Sequence, residues 1–67
     1  MKKYKITVTN GQGWRKEFEC ASRNAKKHLR DNYGAQDGAR CIVRTMNGET
    51  VSACEYSDEF GYYYIYA

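Results

Sequence analysis

Apolar side chains alternate with polar ones through most of this chain and shift to a spacing of three and four in a single segment. Across Lys3–Thr9, Tyr4, Ile6 and Val8 point one way while Lys3, Lys5, Thr7 and Thr9 point the other. That period of two is the signature of a strand. Trp14–Cys20 repeats it: Trp14, Phe18 and Cys20 share a face with Lys16 as an intruder, and Arg15, Glu17 and Glu19 lie opposite. A two-residue Asn10-Gly11 turn between the strands would set Ile6 beside Arg15 and mix apolar with charged positions. A loop over Gly11-Gln12-Gly13 instead pairs Ile6 with Phe18, Tyr4 with Cys20 and Lys5 with Glu19. Register follows the buried face, so the longer loop is expected, with Gly13 left-handed or bulged.

The segment of different period comes next. Ser22 is a competent N-cap, a helix is expected over 23–33, and Gly34 suits the C′ position. At about 100° per residue, Ala25, Leu29 and Tyr33 fall on one arc, flanked by His28 and Asn32. Arg23, Lys26, Lys27 and Arg30 fall together on an adjoining arc roughly 100° wide. The positive charges are thus segregated.

A loop over 35–38 leads to a third strand, Arg40–Met46, and then to Asn47-Gly48, which reads as a two-residue turn. The fourth strand, Glu49–Tyr56, sets Cys41 opposite Cys54, in a position expected to be non-hydrogen-bonded. The loop Ser57–Gly61 precedes a run of aromatic and β-branched residues, Phe60–Ala67, which reads as a fifth strand. Tyr62, Tyr64 and Tyr66 then form a stripe on one face, with Tyr63 and Ile65 on the other. If Tyr56 pairs with Tyr62, Ile42, Val51, Ala53 and Ile65 make an aliphatic face, expected as the core beneath the helix. Cys41, Val43, Cys54, Tyr62, Tyr64 and Tyr66 make the other. The fold class expected is α+β: one helix packed on one face of a five-stranded, mostly antiparallel sheet, in the order ββαβββ, forming a single small domain over 1–67.

Length limits what such a domain can do. A chain of 67 residues buries only about 60% of the surface its unfolded form exposes. A deep substrate cavity with supporting side chains does not fit in so thin a core. A hydrophobic content of 42% with 28% charge reads as globular rather than disordered. No apolar run approaches the ~20 residues that span a bilayer, and Met-Lys-Lys-Tyr-Lys is followed by no apolar signal segment. No membrane partner and a cytoplasmic location are therefore expected. Cys20, Cys41 and Cys54 are odd in number and widely spaced, which suits reduced thiols better than a disulfide scaffold. Together with His28, the only histidine, they match no zinc spacing, so no metal or cofactor is expected.

Catalysis finds little to use. His28 is the only conventional base and lies on the helix flank. Glu17 and Glu19 sit where they can pair with Lys5 across strands, and Asp58-Glu59 falls in a turn. Gly11-Gln12-Gly13 lacks the strand-to-helix setting of a phosphate loop. A non-enzymatic binding module is expected.

Two surfaces remain. Net charge is +3, from eleven basic and eight acidic side chains, which excludes an acidic mimic of nucleic acid. Arg23, Lys26, Lys27 and Arg30, extended by Arg15 and the N-terminal lysines, could neutralise phosphates of RNA or DNA. The tyrosine stripe could assist by stacking unpaired bases. The competing expectation is a protein interface at Tyr62, Tyr64 and Tyr66, since tyrosine anchors interfaces. Its forms are a homodimer through the last strand as a sheet edge, or an accessory or phage-type inhibitor that captures a larger host protein.

Overall fold

A computed structural model describes residues 3–66. Strands β1 (Tyr4–Thr9), β2 (Arg15–Cys20), β3 (Arg40–Thr45), β4 (Thr50–Ser57) and β5 (Gly61–Tyr66) form one antiparallel sheet in the order β2-β1-β3-β4-β5. Helix α1 (Ala25–Asn32) packs across one face of it. The expected α+β fold is what the chain adopts.

The first hairpin has the longer loop, with Ile6 opposite Phe18, Tyr4 opposite Cys20 and Lys5 opposite Glu19. Asn10 organises that loop. Its Oδ1 accepts N–H bonds from Gln12 at 2.7 Å and Trp14 at 3.2 Å, while Gly11 and Gly13 take φ of 73° and 103°, values that a side chain would make costly. The third hairpin sets Tyr56 opposite Tyr62.

The helix begins later than the sequence suggests. Asn24, not Ser22, is the N-cap, and its Oδ1 accepts from Lys27 N–H at 3.2 Å. Ser22 caps one step upstream, its Oγ accepting from Asn24 N–H. Two competent caps lie in sequence, and the burial of Ala25 selects the one adjacent to it. At the other end, Tyr33 and Gly34 both donate to the Leu29 carbonyl, and Gly34 has φ 98°, as a helix-ending glycine requires.

The core lies on the opposite face of the second hairpin from the one expected. Ile6, Val8, Cys41, Val43 and Cys54 are fully buried against Ala25 and Leu29. Ile42 and Ala53 alternate away from them, beside Thr7 on the uncovered face. The β1–β3 register decides this: Ile6 meets Val43 and Val8 meets Cys41, so the apolar row of the first hairpin continues through the thiols. Val51 does reach the core, because a register shift between Val43 and Arg44 leaves it as the extra residue of a bulge.

Two local expectations also fail. Thr45 N–H donates to Glu49 O and Gly48 N–H to Thr45 O, with Gly48 at φ 95°. The turn at Asn47-Gly48 is thus part of a three-residue loop, Met46–Gly48, ending in a bulge. Tyr56 N–H donates to Ala39 O at 2.9 Å. Alternation along the ladder then makes Cys41 and Cys54 a hydrogen-bonded pair, not the closer non-hydrogen-bonded kind.

Candidate nucleic-acid interface

Burial of Ala25, His28 and Leu29 fixes the rotation of α1. At about 100° per residue, Lys26, Lys27 and Arg30 are then held opposite the core and exposed to water. Lys27 has no side-chain partner among the described residues. Arg30 Nε lies 3.7 Å from Asp31 Oδ1, but both side chains are more than half exposed, so the pair is weak. Lys26 Nζ sits 5.7 Å from the centre of the Tyr62 ring, within cation–π range.

Arg23 departs from the expected arc. It precedes the N-cap, and its guanidinium donates to the Val51 carbonyl at 3.3 Å. It flanks the basic face instead of continuing it. Arg15 lies on the uncovered side of the sheet, paired with Glu17 at 3.0 Å. Lys5 lies there too, opposite Glu19. Neither extends the helix arc, and Lys2 falls outside the described residues. The residue that does join the helix side is Lys16, whose Nζ donates to Asn32 Oδ1 at 2.9 Å from β2. Its sequence signal was its intrusion on an otherwise apolar face.

The tyrosine stripe is broken. Tyr62 and Tyr64 flank the helix: Tyr62 packs edge-on against Tyr56 at 4.9 Å, and Tyr64 Oη donates to Asn24 Oδ1 at 3.2 Å. A register shift leaves Ile65 unpaired and sets Tyr66 opposite Ala53, a residue of the uncovered face. Tyr63 is also on that face. Its hydroxyl donates to Glu55 Oε1 at 2.7 Å, and Arg40 pairs with the same carboxylate. The Tyr63 bond, with Arg40 behind it, holds the Glu55 carboxyl below its ordinary range despite some burial, and Glu55 in turn pushes the Tyr63 phenol up.

His28, Cys41 and Cys54 are buried in the fold. His28 is 7% exposed. Its Nε2 lies 2.9 Å from the Ser22 carbonyl, which can only accept, so Nε2 carries the proton. Phe18 meets its ring edge-on. Burial pushes the Cys41 thiol up to about 12, with neighbouring Cys54 adding to the effect, and Cys54 is raised for the same first reason. Among the described residues, no group of His, Cys, Asp and Glu is arranged to hold a metal ion. No helix there is long and apolar enough to cross a membrane.

Comparison with known proteins finds no matching family model, no matching curated protein and no matching solved structure.

Proposed function

We propose that this chain is a small non-enzymatic binding module that contacts the phosphate backbone of nucleic acid through the outer face of α1. Lys26, Lys27 and Arg30 are the central contacts, and Arg23 and Lys16 flank them. The observation that carries the reading is the segregation of those three cations opposite the buried Ala25 and Leu29, with Asp31 the only acid in α1. Tyr62, beside Lys26, offers an aromatic ring against which an unpaired base could stack face to face. No cofactor enters this reading, and the protein is taken to act in the cytoplasm.

Counterion release makes the test quantitative. Three phosphate contacts give a log–log salt slope of about −3 on duplex DNA and about −2 on a single strand. Anisotropy of labelled oligonucleotides across a salt series measures it. The double substitution Lys26→Glu, Arg30→Glu is expected to abolish binding. Binding unaltered in that variant removes the reading. A partner retained from nuclease-treated lysate on the same surface favours a protein ligand instead.

A further inference from the structure

The two edges of the sheet are built differently. β2 carries Arg15, Lys16, Glu17 and Glu19, and Lys16 points to the core side. Charged strands and inward-pointing lysines are the usual protection of a sheet edge against pairing with another chain. β5, Gly61–Tyr66, has no charged residue and no proline. Large apolar side chains are exposed at it and beside it: Phe60 at 72%, Tyr64 at 48%, Ile65 at 46% and Tyr66 at 54%.

The hydrogen-bond pattern says which groups are free. Tyr56 uses its N–H toward β3, so its pairing with Tyr62 in the β4–β5 ladder is non-hydrogen-bonded. Tyr62, and two residues on Tyr64, therefore turn N–H and C=O to the open edge. Tyr63 lies midway between them. The register shift after Tyr64 ends the regular segment there.

We propose that a second copy of this chain docks on β5, antiparallel, about a two-fold axis at Tyr63. Tyr62 of each copy pairs with Tyr64 of the other, making about four main-chain hydrogen bonds. Their rings meet across the junction on the helix side, as aromatic cross-strand pairs do. The occupant follows from the charges. A neutral strand meets its own copy without like-charge contact, whereas the guarded β2 edge blocks the head-to-tail β2–β5 pairing that would propagate a filament. The arrangement closes at two chains. Both α1 basic faces then lie on one side of a continuous sheet. The proposal does not rest on the nucleic-acid reading, although Tyr62 figures in both, and its readouts involve no polynucleotide.

Light scattering coupled to size exclusion, run across a concentration series on the full chain, tests it. A monomer–dimer equilibrium is expected, with the Tyr62 and Tyr64 amides protected from hydrogen exchange only at high concentration. Tyr64→Pro deletes an outward N–H without touching the β4–β5 ladder and is expected to give a monomer. Tyr63→Lys keeps a partner for Glu55 while setting two cations at the axis, and is expected to weaken association by roughly tenfold or more. Should Tyr64→Pro fail to fold, Tyr63→Lys decides alone. A wild-type monomer throughout, a mass that climbs past two chains, or a dimer untouched by the foldable variants overturns the proposal.

Discussion

Tyr63 donates its hydroxyl to Glu55 Oε1 at 2.7 Å, joining β5 to β4 on the uncovered face of the sheet. The bond favours charged Glu55 and neutral Tyr63, and both groups shift accordingly. Glu55 titrates below its ordinary 4.5 in the folded chain. Its contribution to stability is complete above that ordinary value and disappears as pH falls through the lowered one. Tyr63 titrates above its ordinary 10.0. Its contribution is complete below that value and disappears as pH rises through the raised one. Between the two limits the pair adds no pH dependence. Tyr63→Phe removes the larger cause of the Glu55 shift and leaves Arg40. A carboxyl-detected NMR titration is expected to show Glu55 moving up toward the ordinary range while staying below it. An unmoved Glu55 would mean that Arg40 dominates instead.

The thiols make a sharper test of which face is core. Thiolate is the reactive form, and Cys41, buried and pushed up to about 12, supplies almost none near neutral pH. Cys54 is buried too, and Cys20 is half-exposed on β2. A disulfide-exchange reagent is expected to titrate Cys20 in the native protein, and Cys41 and Cys54 only after denaturant is added. Rapid reaction of all the thiols without denaturant would place Cys41 and Cys54 outside the core.

Those same cysteines show where sequence pattern runs out. The first hairpin was legible because one face of each strand is apolar and the other charged, so only one register buries Ile6 against Phe18. In the second hairpin both faces are mildly apolar. Ile42 and Ala53 on one side compete with Cys41, Val43 and Cys54 on the other, and periodicity cannot rank them. The continuity of β1 with β3 does rank them, and that is a long-range pairing. Bulges at Val51 and Ile65 add a further difficulty, since each inserts one residue and flips the alternation of the residues beyond it. The basic helix face was legible because α1 has a single buried side, whereas Arg23 fell off it when the N-cap moved to Asn24.

Asn24 has two duties, capping α1 and accepting from Tyr64 Oη. An isolated helix of eight residues does not hold in water, so its start depends on such contacts. Asn24→Ala is expected to cost about 0.5–2 kcal/mol in urea unfolding, the usual range for a lost N-cap. Ser22→Ala, one step upstream, is expected to cost less. The reverse order would return the cap to Ser22.

Lys16 joins the helix side to the edge strand. Its Nζ reaches Asn32 Oδ1 and stands 5.6 Å from the centre of the half-buried Phe18 ring, so its charge lies on the helix side at the rim of β2. A charge in that position repels an incoming strand, which would have to bury it. Lys16→Val removes the inward-pointing cation of the guard and leaves Arg15, Glu17 and Glu19 on the other face of β2. With β5 already neutral and the inward charge gone, β2 can meet β5 of another chain head to tail. Static light scattering is expected to change from a plateau at two chains to a mass that rises with concentration, while the helical circular dichroism stays intact. The double substitution Lys16→Val, Tyr64→Pro closes the β5 edge again and is expected to stop the growth. Continued growth in the double variant would show that β2 recruits strands without help from β5, and that the asymmetry between the two edges is not what limits assembly.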